Sequence, residues 1–149
     1  MTAAELRAKL SAIEPTESLY ATLTPADVAA LTELLADPED WVAARAVFAL
    51  SRIGNANAVR VLADAAADRR SAVRAAVAAA VGQRPITLPD RALVTLLRDA
   101  DPAVRKFAPM ALKRENGEEP RTLLRRLAAD DQVPVVRANA VEALRHIRP

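Results

Sequence analysis

The sequence predicts an all-α protein, a right-handed solenoid of antiparallel helix pairs with no sheet. Three observations predict it. Alanine, the best helix former, supplies 35 of the 149 residues. No segment alternates apolar and polar residues with period two, as a half-buried strand would. Four segments repeat one another in register: DWVAARAVFAL, SAVRAAVAAAV, PAVRKFAPMAL and PVVRANAVEAL.

The reference valines of these segments are Val42, Val73, Val104 and Val136, spaced by 31, 31 and 32 residues. Four positions later come Ala46, Val77, Ala108 and Ala140, and seven later Ala49, Ala80, Ala111 and Ala143. Eight later come Leu50, Val81, Leu112 and Leu144. Offsets 0, 4, 7 and 8 trace one face of an α-helix. A second helix lies between copies, anchored on Leu31, Leu62, Leu93 and Leu124. Thr24-Pro25, Leu88-Pro89 and Glu119-Pro120 put proline near a first helical turn. The turns at 53–57, 82–85 and 115–118 take all three glycines, the ordinary helix-stop use. The expected helices span 3–13 and 16–22, then pairs at 25–36 and 39–53, 56–67 and 71–81, 89–98 and 102–114, 120–129 and 134–147. Pro109 should kink the helix that holds it. The whole chain, 1–149, reads as one domain, with 1–24 as a cap and 25–147 as repeats.

Composition excludes several chemistries. There is no cysteine, hence no disulfide, thiolate catalysis or zinc finger. One histidine, His146, leaves no pair for a metal and no obvious catalytic triad. Three glycines exclude a glycine-rich phosphate cradle. The adjacent acids Glu118-Glu119 and Asp130-Asp131 lie at helix ends and do not converge on one substrate atom. No cofactor, no metal and no catalytic residue are expected, and the chain reads as a non-enzyme. No apolar run is long enough to span a bilayer, and the charged N-terminus is unlike a signal peptide. A bacterial, cytoplasmic setting and no membrane partner are therefore expected. Charge is uneven: residues 1–40 carry two basic and eight acidic side chains, residues 41–149 carry 19 and 11, so −6 gives way to +8.

The pattern Asp-x-x-Val-Arg-x-x-Ala-x-x-Ala-Leu, paired with a leucine-rich helix, resembles HEAT repeats over residues 25–147. The 31-residue period resembles the short phycobilisome-lyase-type subclass. Asp37, Asp68, Asp99 and Asp130 recur every 31 residues, and Arg74, Arg105 and Arg137 follow three of the valines. In such families these residues bond between neighbouring repeats as a ladder, which is what the resemblance implies here. Ala43 stands in the first repeat's arginine place, so the ladder should be incomplete there. The resemblance also implies that the leucine-anchored helices line a concave surface.

On those helices, offsets −2, +2 and +5 from each leucine point away from the core. They carry Arg60, Arg91, Arg98 and Arg126, with small residues such as Ala29, Ala36 and Ala129 between the charges. These arginines, with Trp41, are the candidate partner-binding residues. Trp41 is the lone tryptophan, where other repeats have Ala72, Ala103 and Val135. The leading functional reading is a protein-interaction scaffold that binds an acidic surface or peptide on the concave face. One alternative is nucleic-acid binding, by backbone contacts or as in HEAT-like DNA glycosylases, although the basic half has almost no aromatics to stack bases. Another is a bilin lyase-like helper, by analogy with the subclass. The apolar stripe of the last helix, Val136 to Ile147, is also a candidate homodimer contact.

Overall fold

A computed structural model describes residues 1–12 and 16–147. Among them are ten α-helices, one 3-10 turn and no strand. The helices are α1 (Ala3–Leu10), α2 (Glu17–Ala21), α3 (Val28–Leu34), α4 (Asp40–Ile53), α5 (Ala56–Ala65), α6 (Ser71–Gly82), α7 (Asp90–Leu97), α8 (Pro102–Ala111), α9 (Glu118–Asp130) and α10 (Pro134–His146). The 3-10 turn, Pro25–Asp27, leads into α3. The first helix, expected to reach Ile13, ends at Leu10 with Ser11 as its C-cap, while Ile13 itself and the polar Arg148 fall outside the described residues.

The repeated columns form the core. Val42, Val73, Val104 and Val136 are fully buried, as are Ala46, Val77, Ala108 and Ala140. Leu31, Leu62, Leu93 and Leu124 meet them from the partner helices and are also fully buried. Because the second column is mostly alanine, α4, α6, α8 and α10 approach closely, each packing directly on the next. On the other side α3, α5 and α7 stand apart, and only α7 and α9 pack closely. In a curved stack the closely packed row is the inner one. The leucine-anchored helices are therefore the outer row, and the expectation that they line the concave face is corrected.

Several helix ends shift by one to three residues from expectation, and two departures have clear local causes. The helix containing Pro109 was expected to reach residue 114 but stops at Ala111, with Leu112 extended. Proline has no amide hydrogen to donate, and its ring crowds the carbonyl one turn back. The chain then turns on Asn116, whose side chain accepts from the Lys113 amide (2.9 Å) and donates to the Leu88 carbonyl (2.9 Å). Only one of the three glycines stops a helix in the left-handed conformation, Gly54 at φ 61° after α4. Gly117 instead precedes α9, where Asp90 accepts its amide and an added Cβ would lie 2.5 Å from the Asp90 carboxylate.

The N-terminal segment is tied to the stack. α1 packs on α3 and α4 with Leu6 and Leu10 buried. The Met1 ammonium donates to Asp27 at 2.8 Å. Arg45 on α4 donates to the carbonyls of Leu10 and Ala12. Arg52 pairs with Glu17 and lies over the Tyr20 ring, holding α2 against α4.

Replacing Leu62, Leu93 or Leu124 by alanine should each cost about 2–5 kcal/mol, since every one leaves a cavity in a fully buried column. Urea unfolding followed by circular dichroism reads this directly. A loss below about 1 kcal/mol at all three positions would contradict the core assignment.

Candidate functional site

The Asp and Arg columns come together at the turns between helices. Asp99 Oδ1 accepts the Asp101 amide at 2.9 Å, which shapes the turn. The same carboxylate takes Arg74 of the preceding repeat, Nε to Oδ2 at 2.6 Å and Nη2 to Oδ1 at 3.1 Å. Asp131 repeats this with the Val133 amide (2.9 Å) and Arg105 (Nε 2.8 Å, Nη2 3.4 Å). Asp131, not Asp130, is thus the last ladder residue. It lies five residues before Val136, as Asp99 does before Val104, and the extra residue in the final repeat displaces a count by 31.

The first junctions depart from this scheme. With Ala43 in the arginine place, Asp68 receives Arg70 from its own turn (Nε, 3.1 Å). Arg70 also reaches back to the carbonyls of Asp37 (Nη1, 2.8 Å) and Leu35, so the missing rung is bridged from the other side. Asp37 is taken by Arg7 of α1, Nε to Oδ2 at 2.8 Å. Sequence reasoning missed this rung. Its signal is Leu6-Arg7 with Leu10 four positions on from Leu6, the same offsets as in the repeats.

These bonds fix the charge states. Burial pushes the Asp68, Asp99 and Asp131 carboxyls up, but their arginines and turn amides outweigh it and hold all three below the usual carboxylate value. Asp37 is held down chiefly by Arg7, and Arg74 is raised by Asp99. The ladder carboxylates are turn-and-junction groups; Asp37 and Asp68, each held by an arginine, also border the open cleft between α3 and α5.

The candidate partner-binding residues lie elsewhere. Arg60, Arg91, Arg98 and Arg126 are all exposed on the outer row. Arg91 approaches Asp64 at 3.6 Å across α7 and α5, with both side chains about two-thirds exposed. Arg60, Arg98 and Arg126 make no ion pair among the described residues. Where α3 and α5 diverge, an open cleft of about 1200 Å³ is lined by Val28, Ala29, Thr32 and Val61, with Arg60 and Arg69 among its charged groups. The acidic pair Glu118-Glu119 is not convergent: Glu118 binds Arg125 at 2.7 Å. His146 is exposed beside Glu142 at 3.0 Å.

Trp41 is 42% exposed on the inner row. Its indole donates to Glu39, and the Arg45 guanidinium lies 5.1 Å from its ring centre. The inner row carries further exposed apolar groups that sequence reasoning passed over: Phe107, Met110 and Val135. They occupy offsets +3, +6 and −1 from their valines, a stripe opposite the buried face, so their bulk was a readable signal. Lys106 lies 5.2 Å from the Phe107 ring centre. The apolar stripe of α10 is largely covered by its own chain, with Ile147 buried and Leu144 half-buried. No helix is long and apolar enough to cross a membrane among the described residues.

Comparison with known proteins agrees with this architecture. A family profile for HEAT repeats matches residues 28–92 and 88–145. A chain in the structure of the complex of CpcE and CpcF of phycocyanin lyase from Nostoc sp. PCC7120 is 26% identical, with a TM-score of 0.72 over 95% of this chain and 97% of that one. An engineered protein solved by the Northeast Structural Genomics Consortium is 24% identical, with a TM-score of 0.62 over 97% of this chain and 71% of that one, a likeness of fold alone. No curated protein matches the sequence. The expectation of a non-enzyme is overturned by the likeness to a lyase structure. It was argued from missing cysteine and histidine, and missing residue types exclude particular chemistries, not membership of an enzyme complex.

The ladder predicts a pH dependence. Its carboxyls titrate below their unfolded values, so their stabilisation is complete above about pH 4 and is lost as pH falls through the lowered native values. Asp99→Asn should cost about 1.5–3 kcal/mol at pH 7 and flatten the acid limb of the stability profile. Chemical unfolding between pH 7 and pH 3 measures both, and an unchanged acid limb in the variant would remove Asp99 from the ladder.

Proposed function

The chain belongs to the HEAT-repeat family, and from that premise we propose that it works as a subunit of a bilin-lyase-type assembly, holding a protein partner on its exposed helical rows. The single observation that carries this reading is the end-to-end likeness to a chain of a two-protein lyase complex, with almost no unmatched length in either chain. A HEAT-type stack suits such work because its rows present long surfaces while the core stays within the stack.

The surface chemistry favours a partner bearing carboxylates. Arg60, Arg98 and Arg126 are exposed cations without ion pairs among the described residues, and Arg91 has only a loose, solvated one. Guanidinium groups bind carboxylates in a two-pronged geometry that lysine lacks. Trp41 adds an amphipathic ring on the other row. A bacterial cytoplasm is the setting in which we place this work.

Nucleic-acid binding is the competing use of the same arginines. It is disfavoured by the shortage of stacking groups: of the aromatic residues, only Phe107 lies beyond Phe48.

The test is chromophore attachment to a phycocyanin apoprotein supplied with a free bilin, with and without this chain and a partner subunit. Faster attachment, read as visible absorbance that survives denaturation, is expected with the chain present. Identical attachment in its absence would overturn the reading. Reversing Arg91 and Arg98 to glutamate should weaken association with the apoprotein about tenfold or more while leaving the helical spectrum intact. Unchanged affinity would move the contact to the Trp41 row. Binding that instead falls steeply with salt on random DNA would favour nucleic acid.

A further inference from the structure

Asn55, Asn57 and Asn139 are each followed by alanine, and Asn116 is the one asparagine of the chain followed by glycine. Such a step is chemically labile in water. The amide nitrogen of the next residue attacks the asparagine side-chain carbonyl, and glycine, with no side chain, hinders the attack least.

The fold closes this step. Asn116 lies in the turn between α8 and α9 and is only 6% exposed. Its Oδ1 accepts the Lys113 amide at 2.9 Å, and its Nδ2 donates to the Leu88 carbonyl and to Asp90 Oδ1, both at 2.9 Å. The attacking group is held as well, since the Gly117 amide donates to the Asp90 carboxylate at 3.1 and 3.2 Å. Carbonyl and nitrogen are thus each tied to other partners, and attack requires these bonds to break together. The same contacts dictate the residue pair. Only an amide side chain offers an acceptor and two donors on so short a stem. A Cβ added at Gly117 would lie 2.5 Å from the Asp90 carboxylate. The turn therefore demands the labile step that it protects.

We propose that Asn116 is a deamidation site shut by the native turn and opened when that turn unfolds. The Gly117 nitrogen then bonds to Asn116 Cγ, the Cγ–Nδ2 bond breaks, and ammonia leaves with the amide proton. Water opens the resulting cyclic imide at one or other carbonyl, giving aspartate or isoaspartate. Neither product fits the closed turn. An aspartate keeps the Lys113 contact but sets its second oxygen against the Leu88 carbonyl and the Asp90 carboxylate, where Nδ2 had donated. An isoaspartate adds a carbon to the main chain of the turn. The chemistry does not reverse, so the chain carries a lasting record of time spent open at the contact between α7 and α9. This inference goes beyond the lyase-type reading and stands without it.

The test holds the full chain for days in mildly alkaline buffer, native in one sample and unfolded by guanidinium chloride in the other, with peptide mapping by mass spectrometry. Deamidation at Asn116 should be slower in the native sample by about a hundredfold or more, because attack waits on a rare opening. Asn55, Asn57 and Asn139 should lag behind Asn116 in the unfolded sample. On removal of denaturant, the fraction regaining the native unfolding transition should fall in step with the deamidated fraction. A sample kept unfolded at mildly acid pH, where the attack is slow, should refold fully. Asn116→Asp should weaken the folding equilibrium about tenfold or more. Comparable deamidation rates in the native and unfolded samples would overturn the proposal. So would deamidated chains that refold to the stability of the unmodified protein.

Discussion

The structure depends on one carboxylate doing two jobs at each full rung. Asp99 accepts the amide two residues on, which shapes its own turn, and takes the guanidinium of Arg74 from the repeat before. Turn geometry and repeat-to-repeat coupling are thereby locked to the same atoms. The pair is sheltered, with the Asp99 carboxylate only 5% exposed, so its charge-assisted bonds are weakly screened. A helix pair cannot bury both of its faces alone, and stacking supplies the missing cover. The alanine column lets the inner helices approach, and the rung fixes the register in which they do so. Altering the spacing between Asp and Val by one residue would therefore disturb both jobs at once.

Repetition made most of this legible. A geometry used four times demands like residues four times, and the valine, alanine and leucine columns announce it without an alignment. What the sequence hid has physical causes. Asp130 and Asp131 are adjacent acids, and only the distance to Val136 says which one enters the rung. The rung from α1 was missed because Leu6 stands 36 residues before Val42, outside the regular period, although Leu6, Arg7 and Leu10 repeat the local pattern. The assignment of rows failed for a different reason. Periodicity reveals which face of a helix is buried but not which row of helices is splayed. That depends on how closely neighbouring helices pack, and small residues at offset 4 bring the valine-anchored row together.

The two rows consequently present different chemistry. The outer row, with its helices set apart, carries exposed arginines over a cleft between α3 and α5. The inner row carries Trp41, Phe107, Met110 and Val135, each bulky where a small or polar residue would satisfy the fold. None of these groups is fully buried, so each leaves apolar surface in contact with water. Apolar side chains held on rigid helices lose little freedom when a partner covers them, and desolvation then favours contact. The arginines act differently, through orientation and through the rate of encounter with an acidic surface. A partner that spans both rows would use the first for affinity and the second for alignment.

The ladder also has a direction along the stack. At the front, α1 closes the first repeat by supplying Arg7 to Asp37, and Leu6 and Leu10 cover the apolar columns behind it. In the last described helix, Arg137 donates to the Asp131 carbonyl just as Arg74 and Arg105 donate to carbonyls of their own turns. A rung joins an arginine from behind to an aspartate in front, so it has polarity. With Asp37 already taken by Arg7, the first described turn has no open carboxylate left to receive another guanidinium, so the ladder's first rung is satisfied within the chain itself.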